Sequence, residues 1–111
     1  MLHFAETSLF TKQIIDLMDD DEYRLLQTNL MKNPHQGDIV RGTGGVRKTR
    51  WSIDGKGKSG GSRIIYFFVD DAGIFFMLLA YPKSKQTTLS ADEKKEMLKL
   101  TTAIKEIYRA K

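Results

Sequence analysis

Basic residues are concentrated in one short part of the chain. The segment from Arg41 to Arg63 holds seven Lys or Arg residues and one acid, Asp54, whereas the whole chain holds 18 basic and 14 acidic residues. The rest of the chain therefore carries 11 basic and 13 acidic groups, so the positive charge is local. Such a segment is typical of a face that binds a polyanion, because neutralising phosphates releases condensed counterions. The seven are Arg41, Arg47, Lys48, Arg50, Lys56, Lys58 and Arg63.

Some of these cations are spaced so that they can meet on one side of a sheet. Lys48 and Arg50 are two positions apart, so both point from the same face of a strand. Arg63 opens the next strand, and Lys83 and Lys85 follow the strand after that, at the same end if the turn between them is a hairpin. Arginine grips phosphate oxygens bidentately and lysine acts as a point charge. The cluster can therefore hold a phosphate and stabilise the extra negative charge of its transition state. Exposed cations on a sheet are also commonly just a solvated surface, and that alternative stays open here.

Two further features lie beside this cluster. The glycine-rich stretch 54–62 predicts a hairpin loop that carries Lys56 and Lys58. It lacks the spacing of a nucleotide-binding P-loop and precedes a strand rather than a helix. Tyr81 stands at the end of a strand next to Lys83, where its ring can stack on a base or its hydroxyl can contact a phosphate. Trp51 points the opposite way from Lys48 and is expected in the core.

Other kinds of site are not expected. The chain has no cysteine, which excludes disulfides and thiolate metal sites. Its two histidines, His3 and His35, fall in different predicted elements, so a paired-histidine ribonuclease site is not expected. The acids at 19–22 suit the start of a helix and those at 70–71 suit a turn. We therefore expect neither a metal nor a cofactor.

Length and composition indicate a single globular domain over residues 1–111. Hydrophobic residues make up 41% of the chain and charged residues 29%, which is close to globular averages. The most apolar stretch, 64–81, is interrupted by Asp70, Asp71 and Gly73 and is too polar for a membrane span. No secretory signal is recognisable at the first residues. The expectation is a soluble cytoplasmic protein without a membrane partner.

Hydrophobic periodicity predicts the order of elements. A strand at 1–6 is followed by helices at 8–18 and 19–33, the second ended by Asn33 and Pro34. Strands follow at 46–53, 63–69 and 74–81, with another starting near 39. Ser90 and Glu93 form a capping box that begins a last helix. The fold class is therefore α+β, with a mainly antiparallel sheet, an N-terminal helical hairpin and a C-terminal helix, and with the helices packed on one face.

Four segments of the chain resemble a known family. The resemblance lies in DDEYRLLQTNLMKNP, GDIVRGTGGVRKTRW, GKGKSGGSRIIYFFVD and MLLAYPKSK. Together they are similar to the RelE/ParE toxin superfamily of bacterial toxin–antitoxin modules, and particularly to its HigB-like branch. The resemblance covers nearly the whole chain. It implies a microbial ribonuclease-like fold without a histidine pair.

The resemblance also implies a reaction and its residues. Such toxins cleave mRNA in the decoding site of the ribosome, with the 2′-hydroxyl attacking the neighbouring phosphate. Lys48 and Arg50 match the family's basic pair, Arg63 matches the arginine that opens the next strand, and Lys83 matches a basic residue at the following strand's exit. The catalytic arginine usual near there reads as Ser84, with Lys85 the nearest substitute. Arg47, Lys56, Lys58, Tyr81 and Lys85 are the expected RNA contacts.

The proton acceptor is less directly indicated. A tyrosine found near the C-terminus of family members has no clear counterpart, since the corresponding region reads Thr87-Thr88-Leu89-Ser90. Lys48 is the better candidate base, because clustered like charges favour a neutral amine. Tyr81 is a second candidate for part of that role.

Three functions remain open from sequence. The first is a ribosome-dependent endoribonuclease that inhibits translation. The second is a non-catalytic inhibitor of DNA gyrase, as in the ParE branch, and the third is an RNA- or ribosome-binding module without cleavage. The resemblance implies an antitoxin, expected to be a helix-turn-helix protein, as partner, together with the ribosome and mRNA.

Overall fold

The computed structural model describes residues 2–52, 61–85 and 88–109. In chain order its elements are β1 (His3–Glu6), α1 (Ser8–Leu17), α2 (Asp20–Lys32), β2 (Asp38–Ile39), β3 (Arg47–Trp51), β4 (Ser62–Val69), β5 (Ile74–Pro82) and α3 (Ala91–Arg109). The strands form one sheet in the order β1-β5-β4-β3-β2. β1 pairs with β5 in parallel, and the other neighbours are antiparallel. The predicted α+β class with a mainly antiparallel sheet is confirmed.

The helices begin where their capping residues predict. The Thr7 hydroxyl accepts a hydrogen bond from the amide of Phe10, and the Asp19 carboxylate accepts one from the amide of Glu22. At α3, the amide of Glu93 donates to the Ser90 hydroxyl while the Glu93 carboxylate accepts from the Ser90 amide. These reciprocal bonds are the capping box expected from sequence, and they satisfy amides that have no partner inside a helix.

The prediction that all helices pack on one face of the sheet is wrong. α1 and α2 contribute Phe10, Ile14, Met18, Leu26 and Leu30 to a core with Ile64, Tyr66, Phe75 and Met77. α3 contributes Met97 and Ile104 to a separate core with Val46, Ile65, Phe67 and Leu78. Successive residues of β4 thus enter different cores, because side chains alternate across a strand. We call these the α1/α2 face and the α3 face.

The glycine-rich turn before β3 anchors α3 to the sheet. The Thr101 hydroxyl donates to the carbonyl of Thr43 at 2.7 Å, and the Lys105 amine donates to the carbonyl of Gly44 at 2.6 Å. Gly44 has φ +78°, and a Cβ at this position would lie 2.4 Å from the Thr101 hydroxyl oxygen. The turn therefore needs a residue without a side chain, both for its backbone angle and for its contact with the helix.

None of the helices within the described residues combines the length and the apolar character needed to cross a membrane.

Candidate functional site: a cationic groove

Three of the predicted catalytic residues line one cavity. A groove of about 550 Å³ is formed by Lys48, Thr49 and Arg50 of β3, Arg63 of β4, and Gly37 and Asp38 at β2. We call it the cationic groove. It lies where three neighbouring strands run side by side, so its side chains are positioned by the sheet rather than by a loop. A site built on strands holds its groups in a fixed geometry.

The register of the strands explains this convergence. Arg50 pairs directly with Arg63, and Lys48 pairs with Ile65. Ile65 belongs to the core on the α3 face, so Lys48, Arg50 and Arg63 all project from that face. Directly opposite residues have Cβ atoms about 4.5–5.5 Å apart. Two guanidinium groups are therefore held side by side at the margin of the sheet, with a lysine one step further along β3.

Such a pairing is electrostatically unfavourable in the free protein. Like charges directly opposite each other destabilise a sheet, whereas an anion between them reverses the effect. A phosphate fits this role because it accepts bidentate hydrogen bonds from arginine. The groove therefore has the charge and the donor geometry to bind a phosphodiester.

The groove contains an acid that the sequence analysis missed. Asp38 pairs directly with Lys48 across β2 and β3, and both line the groove. Only the strand register places Asp38 in the groove. In the sequence, Asp38 is simply a polar residue after the turn at Gly37. A carboxylate at this position can compensate the charge of Lys48 or accept a proton.

Gly37 allows β2 to come close to β3. Its φ is +81°, and a Cβ there would lie 2.4 Å from the carbonyl oxygen of Lys48. No L-residue side chain fits at that distance without moving the β3 backbone. The approach of Gly37 therefore helps to fix the strand that carries Lys48 and Arg50.

Lys83 and Lys85 lie beside the groove but do not line it. The turn from Val69 to Gly73 is a true hairpin, as expected, since the Gly73 amide donates to the carbonyl of Val69. Pro82 consequently pairs with Ser62, and the Lys83 amide donates to the carbonyl of Gly61 at 3.1 Å. Both lysine side chains are exposed at the end of the sheet where Arg63 enters.

Arg47 lies on the opposite face from the cationic groove. It pairs with Tyr66, whose ring belongs to the α1/α2 face. Its guanidinium donates to the carbonyls of His35 and Gly37 at 2.7 and 3.2 Å. These bonds tie the segment before β2 to β3, so the structure gives Arg47 a structural contact in place of the expected RNA contact. Lys56 and Lys58 lie outside the described residues.

Tyr81 is buried rather than available to stack on a base. Its side chain is only 6% exposed and packs in the core of the α3 face. It pairs directly with Arg63, and its hydroxyl has no hydrogen-bond partner among the residues that the structure describes. Burial raises the pKa of Tyr81; the positive charge of Arg63 lowers it, and the negative charge of Glu93 raises it. The hydroxyl therefore stays protonated at neutral pH behind Arg63, and the expectation of base stacking is wrong because the ring is enclosed.

Two other aromatic and histidine features are structural. The Trp51 indole donates to the Glu22 carboxylate at 3.0 Å and packs against the α1/α2 core, as the strand pattern predicted. His35 bonds the Asp70 carboxylate at 2.7 Å and contacts the edge of Phe68. Trp51 thus connects β3 to α2, and His35 connects the segment after α2 to the turn after β4.

A comparison with protein families gives a match that agrees with this fold. A family model described as the RelE toxin of the RelE / RelB toxin-antitoxin system matches residues 10–111. The match spans nearly the whole chain, so the protein belongs to the RelE toxin family, and that family implies an antitoxin partner. Membership in the RelE/ParE superfamily is thus confirmed, whereas the HigB-like branch stays a prediction.

Proposed function

We propose that this protein is the toxin of a type II toxin–antitoxin module and a ribosome-dependent endoribonuclease that cleaves mRNA in the decoding site. The observation that carries the proposal is the direct pairing of Arg50 with Arg63 beside Lys48 in one groove. Two directly paired arginines repel each other when no anion is bound. With a phosphate between them, they can stabilise the negative charge of its transition state. Family membership supplies the biological setting.

The groove suits cleavage by an internal nucleophile. The 2′-oxygen of a ribose attacks the adjacent phosphorus and loses its proton, while the bond from phosphorus to the 5′-oxygen breaks and that oxygen takes up a proton. The products are a 2′,3′-cyclic phosphate and a 5′-hydroxyl. Arg50 and Arg63 would hold the non-bridging oxygens and stabilise the charge that develops on them. Lys83, at the margin, would contact the RNA backbone.

Two groups in the groove can take the proton from the 2′-hydroxyl. Lys48 can do so as a neutral amine, and it lines the groove beside Arg50 and Arg63. Asp38 can do so as a carboxylate, and it shares the groove with Lys48. Asp38→Asn and Lys48→Met test the two roles, since loss of the base lowers kcat whereas loss of a group that only binds RNA chiefly raises KM.

Mapping of mRNA 5′ ends in bacteria that express the chain tests the proposal. Wild type should produce new 5′ ends inside translated codons, and Arg63→Ala should abolish them. Arg24→Ala is the matched control, because Arg24 is exposed on α2 and its side chain has a long ionic contact of 3.8 Å with the exposed Asp21. With purified components, cleavage should require translating ribosomes.

Other outcomes would support the alternative functions. Growth arrest with inhibited DNA gyrase and intact mRNA would favour a ParE-like inhibitor. Binding to ribosomes without new 5′ ends would favour a non-catalytic binding module. An Arg63→Ala variant that still cleaves like wild type would show that the cationic groove is not the active site.

A further inference from the structure

A second cavity lies away from the cationic groove. It measures about 360 Å³ and separates the start of α1 from the first half of α3. We call it the acid-rimmed groove. The two cavities share no lining residue within the described parts of the chain. The lining residues are Thr7, Leu9, Leu78, Leu79, Asp92, Glu93, Glu96, Met97 and Leu100.

The sides of the acid-rimmed groove leave apolar surface open to solvent. Leu78 and Met97 are buried beneath it, but Leu9 on α1 is 51% exposed and Leu100 on α3 is 37% exposed. A single exposed leucine on a surface needs no explanation, whereas two that flank an apolar cavity form a continuous patch. The cavity is thus suited to receive apolar side chains.

The backbone edge beside this groove is already occupied. Beyond the end of β1, the Thr7 hydroxyl donates to the carbonyl of Leu78 at 2.9 Å. The Gln13 side-chain oxygen accepts from the amide of Ala80 at 2.9 Å. These two bonds use the polar groups of β5 that an added strand would need. A partner therefore binds here through side chains and not by extending the sheet.

The charge of the rim restricts the partner further. Asp92, Glu93 and Glu96 line the groove, and none of its described lining residues is a lysine or arginine. Glu96 also has an exposed contact with Lys99 at 3.5 Å, but Lys99 does not line the groove. The lining residues of the rim therefore carry the sign opposite to those of the cationic groove. Carboxylates at the margin of an apolar contact favour a partner with basic residues at matching positions.

We propose that the acid-rimmed groove binds an amphipathic segment of the antitoxin. This segment would present apolar side chains to Leu9 and Leu100, and Lys or Arg to Asp92 and Glu96. The occupant is assigned to the antitoxin because the family implies such a partner and because the groove matches a basic, apolar peptide. This inference rests on the toxin–antitoxin assignment, but it does not depend on the chemistry of the cationic groove.

The test measures binding to the purified product of the antitoxin reading frame that neighbours the toxin gene. Glu96→Lys reverses one rim charge, and Glu106→Lys on the same helix but outside the groove is its control. Leu9→Asp places a charge on the apolar wall, and Leu25→Asp is its control because Leu25 is similarly exposed on α2, at 53%. We expect Leu9→Asp to raise Kd about tenfold or more, as changes at apolar interface residues do. Glu96→Lys should raise Kd through repulsion of the partner's basic residues, and the controls should bind like wild type.

The outcomes separate this proposal from the proposed activity. The groove variants should retain wild-type mRNA cleavage, and in cells they should be toxic even when the antitoxin is present. Wild-type affinity in Glu96→Lys, whose exposed site tolerates lysine in the fold, would overturn the proposal even if Leu9→Asp fails to fold. So would a concentration-dependent dimer of the toxin that Leu9→Asp dissociates while antitoxin binding is unchanged, because the occupant would then be a second copy.

Discussion

Arg50 and Arg63 are direct cross-strand partners, and both line the same groove. No acid lies between them in the pairing, and the next residue on that face of β3 is Lys48. The sheet therefore places two arginines opposite each other, where an arginine opposite an acid would be more stable. A polyanion bound in the groove would remove this repulsion, because its phosphates would accept hydrogen bonds from both arginines.

Removal of one arginine should make the free protein more stable. Arg63→Ala eliminates the repulsion from Arg50, which for directly opposed like charges amounts to about 0.2–1 kcal/mol. Urea denaturation at low ionic strength should show this gain in the free energy of unfolding. The gain should shrink as salt screens the pair, and Arg24→Ala should show no gain. A loss of stability in Arg63→Ala would mean that packing of the arginine stem outweighs repulsion.

An anion should stabilise the wild-type protein through the same pair. A ligand present at 100 times its Kd that binds only the folded state adds about 2.7 kcal/mol. Pyrophosphate should therefore raise the melting temperature of wild type, and raise that of Arg63→Ala much less. Sodium chloride at the same ionic strength separates specific binding from general screening. Equal shifts in the two proteins would place the anion elsewhere.

Loss of the Tyr81 hydroxyl should also stabilise the protein. The group is buried with no partner in the described parts of the chain, and an unpaired buried hydroxyl costs about 1–3 kcal/mol of desolvation. Tyr81→Phe should raise the free energy of unfolding by about 1 kcal/mol and leave mRNA cleavage unchanged, because the enclosed hydroxyl cannot reach RNA. A marked loss of cleavage would instead indicate that Tyr81 contacts RNA, as the sequence analysis expected.

The two glycines Gly37 and Gly42 should respond differently to alanine. Both have positive φ, of +81° and +79°, so both substitutions strain the backbone by about 1–2 kcal/mol. An added Cβ meets nothing within 4 Å at Gly42, but it meets the Lys48 carbonyl at Gly37. Gly37→Ala should therefore cost about 1–3 kcal/mol more than Gly42→Ala and should slow mRNA cleavage. Equal losses of stability would show that the backbone at Gly37 can move away from the Lys48 carbonyl without disturbing β3.

Alkaline pH should destabilise the fold through Tyr66. Burial raises the pKa of Tyr66 to about 12 from its usual 10.0, against the positive charge of Arg47 and the backbone hydrogen bond to Gln36, which both lower it. The unfolded chain ionises first, so this contribution is complete below pH 10 and is lost as pH rises toward 12. The loss is up to about 3 kcal/mol at roughly 1.4 kcal/mol per pKa unit. Urea unfolding at pH 9 and 11.5 should show it, and Tyr66→Phe should reduce the difference. The remainder comes from Tyr23 and Tyr81, whose pKa values are also raised by burial.

Local signals predicted the elements because they depend on neighbouring residues. The caps at Thr7, Asp19 and Ser90 each involve a partner three positions away, so they can be recognised in the sequence. The hairpin between β4 and β5 follows from a four-residue turn between two apolar runs. Because side chains alternate along a strand, Arg50 and Arg63 lie on the same face once β3 and β4 are paired.

The predictions that were wrong or missing depend on the arrangement of layers and on register. The strand β4 is apolar almost throughout, and such a run signals that both faces of the sheet are covered. Covering both faces requires α3 to lie opposite α1 and α2. Asp38 was missed because only its pairing with Lys48 brings it into the groove, and the burial of Tyr81 depends on the packing of Leu89 and Met97 in the same core.

The parallel position of β1 has a consequence for synthesis of the protein. Thr7 and Leu78, joined by a hydrogen bond, are 71 positions apart in sequence. The first strand therefore leaves the ribosome long before the neighbour that completes its side of the sheet, and α3 emerges later still. A nascent chain therefore cannot pair β1 with β5 until the residues between them have been synthesised, so β1 stays without its strand neighbour during that time.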